Sequence, residues 1–465
     1  MNHETEYLVL GGGPTGLGAA CRLQEKNLDW HLLEAESDFG GLASSFVDEN
    51  GFTWDLGGHV QFSHYETFDR YMDLALGRDG WFNHERESWI WMRDRFVPYP
   101  FQYNIHRLDP KERDVCLAGL KAARDHQAGA HPRNFEEWML ATFGPGVCDL
   151  FMKPYNFKVW AHPASMLDYH WIGERVAVPD IGKVEQAIQT GRDEISWGPN
   201  RLFHFPKFGG TGAVWRSIGR RLPRQRISLG SPVEAIDVAG RVATTAGGER
   251  WKYRYLITSM PLNRLVLAAR GVVHDDVAGK LLYSAAHVVG IGVEGRPPEH
   301  LKTKCWMYFP MSNSPYYRVT VFSNYSPNNT PRPGFQWSLM AEVAESSFKP
   351  VSRDAVADDV VRAFREDRLL PAEGPLSTKT YRFIPMGYPT PFLGRNAVVD
   401  PILRAFEAVG IFSRGRFGAW KYEVANQDHC FAQGYECVER LSRGGGEELE
   451  PTLFTPSLVN SRRNP

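Results

Sequence analysis

The stretch Tyr7–Gly16, YLVLGGGPTG, decides the fold. Tyr7 to Leu10 reads as a short buried strand running straight into Gly11, Gly13 and Gly16, which satisfy G-x-G-x-x-G. Gly11 allows the tight turn, Gly13 lets backbone amides approach a pyrophosphate, and Gly16 permits close helix-to-strand packing, with the positive end of a helix facing the phosphates. Leu17 to Glu25 follows with helical periodicity and no breaker. A second strand, Trp30 to Leu33, ends on Glu34, about 20 residues beyond the glycines, where the dinucleotide fold places an acid for a ribose 2′-hydroxyl. Strand, glycines, helix, strand and terminal Glu together predict an α/β chain with a Rossmann-like dinucleotide-binding domain.

Moving outward, Asp38-Phe39-Gly40-Gly41-Leu42 resembles the second glycine pair of FAD-binding oxidoreductases of the amine oxidase type. Downstream lies Gly57-Gly58-His59, where two adjacent glycines remove both β-carbons and let a flat ring system lie against the main chain. A tight hairpin carrying a solvated histidine accounts for the same residues, so this segment alone leaves both readings open.

Composition describes a large enzyme with no polyanion-binding face. At 465 residues the chain exceeds one core, so two or three packed subdomains are expected. A formal net charge of -1 argues against nucleic acid and requires any phosphate site to be built from individually placed arginines. No apolar run approaches the roughly 20 residues that span a bilayer, and MNHETEYLVL lacks the basic start and apolar core of a signal peptide, so the expectation is a cytoplasmic protein without a membrane partner. Cys21, Cys116, Cys148, Cys305, Cys430 and Cys437 are scattered, with no zinc-ligand pairing; no metal site is expected, and the thiols read as reduced and packed.

Aromatic residues are abundant, and two irregular stretches are poorly explained by core filling. Val97 to Asn104, VPYPFQYN, carries Tyr99, Phe101 and Gln102 between prolines that preclude regular helix. Phe151 to Ala161, FMKPYNFKVWA, brings Tyr155, Asn156 and Trp160 near one another around a helical turn. Aromatic faces with amides and guanidinium groups are how sugar and nucleobase pockets are built, although an aromatic core face of a helix competes for the second stretch.

Taken together, WDLGGHVQFSHY, RFVPYPFQYNI, DLFMKPYNFKVWA, WIGERVAVPD, SWGPN, FPKFGGTGAVW, KCWMYFP, YYRVTVFSNYSP, MGYPTPF and FSRGRFGAWKYEVANQDH resemble the UDP-galactopyranose mutase family, the eukaryotic-type branch more than the bacterial one. The blocks run in order from the N-terminus to near Cys437. The resemblance implies a mutase interconverting UDP-galactopyranose and UDP-galactofuranose, in which N5 of reduced FAD attacks the anomeric carbon as UDP leaves, the sugar ring reopens and recloses, and UDP returns with no net redox change. NADPH or NADH would serve as external reductant. Such chemistry asks for positioning and charge stabilisation more than a strong acid or base.

Residue by residue, the resemblance implies that Arg175 and Arg318 contact the diphosphate, and that Tyr308, Tyr388 and Tyr422 donate hydroxyls to it, with Tyr317 and Tyr325 in the same substrate set. Phe101 and Gln102, beside Tyr99, match a uracil loop; Tyr155, Asn156 and Trp160 surround the ribose and phosphates; Asn200 lies beside the sugar and flavin; His59 sits on a mobile loop at the flavin. Gly57, Gly58, Val233 near the adenine, Arg416, Asn426 and Gln427 complete the cofactor set begun by Gly11, Gly13, Gly16, Glu34, Gly40 and Gly41. Arg414 competes with Arg416 for the flavin. Gln61 stands where the family usually has an aliphatic residue and Lys421 where it has an arginine.

Asn426-Gln427-Asp428 opens a final helix whose N-terminus favours the flavin pyrophosphate or a ring carbonyl. Cofactor contact from both chain ends implies a discontinuous FAD domain over 1–90, 205–290 and 400–440, a mainly helical insert over 105–200, a sheet-containing substrate domain over 285–395, and a loose tail over 444–465. The oligomeric state stays open. A mutase acting on another nucleotide sugar, a flavin-dependent oxidoreductase of amine-oxidase-like fold, and a non-catalytic nucleotide-sugar binder are the alternatives.

Overall fold

The computed structural model describes residues 2–126, 131–173, 176, 178–195 and 201–460. β1 (Asn2–Leu10), α1 (Pro14–Glu25) and β2 (Trp30–Leu33) form the opening unit. The hairpin β3 (Ser45–Val47) and β4 (Thr53–Asp55) delivers the Gly57-Gly58-His59 turn, and α2 (Glu66–Leu76), β5 (Trp81–Glu85), β6 (Ser88–Met92) and β7 (Arg95–Pro98) follow. Four helices come next: α3 (Pro110–His126), α4 (Phe135–Val147), α5 (Lys153–Trp160) and α6 (Ile181–Thr190). The chain returns through β8 (Leu202–Pro206), α7 (Gly212–Arg221), β9 (Ile227–Ser228), β10 (Val233–Asp237), β11 (Val242–Thr245), β12 (Arg250–Thr258) and α8 (Leu262–Ala268). A second sheet is built from β13 (Tyr283–Glu294), β14 (Trp306–Tyr308), β15 (Arg318–Val321), α9 (Phe322–Tyr325), β16 (Gln336–Glu345), α10 (Val356–Glu366) and β17 (Thr378–Pro389). α11 (Arg395–Ala408), β18 (Ile411–Ser413), α12 (Gln427–Arg443), α13 (Pro451–Phe454) and α14 (Pro456–Asn460) close the chain.

The first sheet has strand order β10-β11-β12-β1-β2-β9, with β18 pairing parallel to the C-terminal half of β12. Tyr7 and Val9 face α1, α7 and α12, while Leu8 and Leu10 face α8 and α11. That two-sided burial is why YLVL is uninterruptedly apolar, as expected of a central parallel strand. The Rossmann-like α/β class predicted from the glycine turn is therefore present.

The second sheet runs β17-β13-β16-β15-β14-β6-β7. Met307, Val319, Leu339 and Ala341 pack under Val356, Val360 and Phe364 of α10. The opposite face receives Phe52 and Trp54 of the β3–β4 hairpin: a β-carbon at Gly290 would lie 2.7 Å from Trp54, and one at Gly292 2.5 Å from Phe52. Glycine in β13 thus lets a hairpin of the first domain lie flat on the second sheet. β6 and β7 also join this sheet, so the segment expected to end the first domain at 90 is divided between the two sheets.

Residues 444–465 were expected to trail loosely, but Glu450, Thr452, Leu453 and Val459 are buried. The reason is a closed ion pair between Glu450 and Arg414, 2.5 and 2.8 Å, which docks this segment on β18. Among the described residues no helix is long and apolar enough to cross a membrane.

Candidate functional site

The cofactor cleft begins at the C-terminal end of β1. Gly11 has φ +110°, and a β-carbon there would collide with Ser259 Oγ; one at Gly16 would meet the Gly11 carbonyl at 1.8 Å. Gly40 (φ +122°) and Gly41 lie against Gly13, whose helix α1 has no side-chain cap, so its first amides stay open toward the cleft. Glu34 is buried and accepts from the amides of Gly12 and Glu36; burial raises its pKa against those bonds. Ser231 donates its amide to the Glu34 carbonyl, which brings the strand starting at Val233 beside this acid.

α1 and α12 run side by side in the same direction, pairing Thr15 with Gly434 and Arg22 with Glu439. A β-carbon on Gly434 would lie 1.9 Å from the Thr15 carbonyl and one on Gly18 2.2 Å from the Phe431 carbonyl, so the N-terminal halves of the two helices are in backbone contact. Asn426 caps α12 without a side-chain hydrogen bond, and Gln427 stands in its first turn. Asp55 Oδ2, His59 Nδ1 and Gln61 Oε1, on the segment that leads into and through the glycine–histidine turn, are buried atoms without partners. Glycines at the strand end, two open helix N-termini, a buried acid at the end of β2 and unfilled polar atoms fit FAD.

The glycine–histidine turn is fixed from the second sheet. Gly57 has φ +136°, and a β-carbon at Gly58 would lie 3.1 Å from both Thr320 Oγ1 and Trp306 Nε1. The Gly58 amide donates to Glu342 Oε1 at 3.0 Å. His59 is held neutral, its pKa pushed down to about 4 by burial, which Arg416 and Arg318 reinforce against Glu342.

Strand register assembles the candidate substrate side of the cleft. Tyr308 pairs with Arg318, and Arg318 with Glu342, so three adjacent strands place one row on the cleft face. Arg318 binds Glu342 through Nε and a terminal nitrogen at 2.7 and 2.8 Å, and the Tyr317 hydroxyl donates to the same carboxylate at 2.7 Å. Burial alone would raise the Glu342 pKa; Arg318, Tyr317 and the Gly58 amide outweigh it and hold the acid below the carboxylate range. The Tyr317 hydroxyl also lies 3.2 Å from that of Tyr388. Tyr155 meets Tyr308 at 5.4 Å and Tyr99 meets Tyr308 at 5.9 Å, ring to ring; Trp160 meets Tyr422 at 4.8 Å and Tyr388 at 6.1 Å. Arg416 lies over Tyr388 and donates to the Gly387 and Ala425 carbonyls.

The structure thus unites Arg318 and Arg416 with Tyr99, Tyr155, Trp160, Tyr308, Tyr317, Tyr388 and Tyr422. It does not bring in Tyr325: α9 turns that ring into the core against Phe203, Phe205 and Phe322, with no exposure. Phe101 is fully buried against Phe151, Gln102 is buried beside it, and Asn156 donates to the Met152 carbonyl. Arg414 is closed off by Glu450 and Glu407, which leaves Arg416 facing the site. Arg175 and Asn200 lie outside the described residues.

Sequence reasoning missed Glu342, although an acid inside the apolar run Trp337–Ala344 was a usable signal, because a buried strand tolerates a carboxylate only with partners. It also missed Lys158, whose ammonium donates to the Met311 and Ser314 carbonyls, tying α5 to the β14–β15 loop; burial pushes its pKa down to about 7. Among the described residues, His64, Asp428 and His429 form the one cluster with metal-ligand side chains. His64 Nδ1 and Asp428 already share a 2.7 Å hydrogen bond, which ties the end of the histidine turn to α12.

Comparison with known proteins agrees with this geometry. The model of an NAD(P)-binding Rossmann-like domain matches residues 9–74. A crystal structure of reduced UDP-galactopyranose mutase is 46% identical, covers 98% of this chain and 99% of its own, and superposes with a TM-score of 0.94. Putrescine oxidase bound to putrescine shares the fold alone, with 15% identity, coverage of 95% and 100%, and a TM-score of 0.64. Flavin-containing amine oxidase B of Cavia porcellus is 26% identical over 285 residues, 56% of this chain and 51% of its own, so the chain matches about half that relative's length. Fold and site define a flavoprotein in which a Rossmann-like domain faces an aromatic-lined sheet. Within that class, the chain belongs to the UDP-galactopyranose mutase family.

Proposed function

We propose that this protein interconverts UDP-galactopyranose and UDP-galactofuranose, with reduced FAD and no net redox change. The observation that carries the reading is the row Tyr308–Arg318–Glu342, which sets a guanidinium among tyrosine hydroxyls directly over the glycine–histidine turn. When bound, reduced FAD supplies a nucleophilic N5 for the anomeric carbon.

The chain's own groups hold and neutralise the nucleotide. Arg318 stays protonated and matches a diphosphate's geometry, with Arg175 as the second arginine. Tyr308, Tyr388 and Tyr422 offer hydroxyls, while Tyr317 uses its proton to orient Glu342; burial keeps Tyr317 and Tyr388 protonated. Developing charge on the departing UDP meets these preset donors in a site walled by Tyr155 and Trp160, where water is excluded and electrostatic stabilisation is strong. Tyr99 and Asn156 take the nucleoside end, with the buried Phe101 and Gln102 backing that loop, and Asn200 takes the sugar. His59, half-buried and neutral, shapes the turn and carries no imidazolium proton for general-acid work near neutral pH. NADH or NADPH, as a diffusible hydride donor, is the proposed external reductant.

The test is incubation of dithionite-reduced, FAD-loaded protein with UDP-galactofuranose, followed by chromatography for UDP-galactopyranose. Absence of conversion sinks the sugar assignment, and a parallel panel of UDP- and GDP-sugars then tests other nucleotide sugars. Substrate-driven bleaching of oxidised flavin by an amine would instead identify an oxidoreductase.

A further inference from the structure

Gln61 places a carboxamide in the buried end of the histidine turn, and its surroundings give that group a purpose. It is 2% exposed, and its main chain is fixed on both sides: its amide donates to the His204 carbonyl at 3.0 Å, and the His204 amide donates back at 2.8 Å. Its side-chain nitrogen donates to Gln427 Oε1 at 2.9 Å, and that same oxygen accepts from the Trp215 indole at 2.6 Å. An indole N–H can only donate, so the Gln427 atom it meets must be the oxygen. The Gln61 atom at that oxygen must then be its NH2, which leaves Gln61 Oε1 as the buried atom without a partner. With its oxygen held by two donors, the Gln427 carboxamide has its own NH2 turned away from Trp215, in the first turn of α12, the helix whose N-terminal half packs on α1.

We propose that Gln61 is a positioning residue for the flavin: together with Trp215 it locks the Gln427 carboxamide so that its N–H2 donor is presented to the cofactor, and it fastens the histidine turn to α12. The inference rests on the FAD reading of the cleft and is independent of which sugar is turned over. A donor aimed at the flavin favours the reduced ring, which carries more negative charge on its acceptors.

The test is a double-mutant cycle on FAD-loaded protein, reading the flavin midpoint potential and the visible spectra of both redox states. Gln61→Leu is expected to lower the preference for reduced over oxidised FAD about tenfold, a shift of ~30 mV to more negative potential. In a Gln427→Leu background the same change should shift nothing further, because the group through which Gln61 acts is gone. An unchanged potential in Gln61→Leu, or an equal shift in both backgrounds, overturns the proposal. Should Gln61→Leu fail to load FAD, Gln61→Met, of closer length and flexibility, carries the same readings. If the wild-type protein converted no UDP-galactofuranose, the potentials would still be measured and this inference judged separately.

Discussion

Two regions of this molecule bury an arginine against a glutamate, and they use the same pair for different ends. At the docked C-terminal segment, Arg414 and Glu450 are both 0% exposed, with Glu407 and Arg440 completing a closed network. In the pocket, Arg318 is 20% exposed and Glu342 4%, and around them stand tyrosine hydroxyls and a backbone amide of the glycine–histidine turn. The first pair has no face left for a ligand. The second keeps one side of its guanidinium toward a space lined by donors, so its charge remains available while Glu342 holds its orientation.

The largest effect should come from opening the closed pair. Arg414→Ala leaves the buried Glu450 and the neighbouring Glu407 to share Arg440 as their cationic partner, and is expected to cost about 3 kcal/mol in stability, read by denaturant unfolding of the FAD-loaded protein. Joint replacement of Arg414 and Glu450 by Met should recover most of it; failure to recover would mean the pair carries more than mutual neutralisation.

Opening the pocket pair should strike turnover instead. Arg318→Ala is expected to keep yellow FAD and lose about 10²–10³-fold in kcat, a loss like that of a preset transition-state donor. Colourless protein would show that Arg318 belongs to the cofactor site. Arg318→Lys should also be impaired, since an ammonium cannot reproduce the two-point contact with Glu342.

A smaller change is Tyr317→Phe, which removes one hydroxyl from Glu342 and Tyr388. It is expected to cost about 1 kcal/mol of transition-state stabilisation, roughly fivefold in kcat/KM, with FAD content unchanged. An unaltered kcat/KM would place that hydroxyl outside the working set.

The mildest test uses pH. Burial lowers the folded pKa of His59 to about 4, below an unfolded value near 6.5. Its contribution to stability is therefore fully present above about pH 6.5 and is lost as pH falls toward 4, because the unfolded chain takes the proton first. His59→Asn should flatten the fall in stability across that window, measured by thermal unfolding in parallel buffers.

Much of the first domain was legible because its constraints are local. Gly11, Gly13, Gly16 and Glu34 serve one strand–helix–strand unit, where each residue type is dictated by a turn, a close approach or a strand end. The pocket was less legible. Tyr325 lies in the same quoted block as Tyr317 and Arg318, yet the short helix α9 rotates it into the core. Arg414 and Arg416 are two residues apart and of one type, and only the docking of residues 450–459 separates their roles.

By itself, the sequence determined the Rossmann-like nucleus, the flavin-type glycine turns and the family, because these depend on steric demands satisfied within short segments or ordered blocks. Only the tertiary structure decided that Gly58 is fastened to Glu342, 284 residues away, and that Gln61 and Trp215 share the oxygen of Gln427. Such couplings arise from strand register and helix convergence, which bring distant side chains to one point with no trace in local spacing.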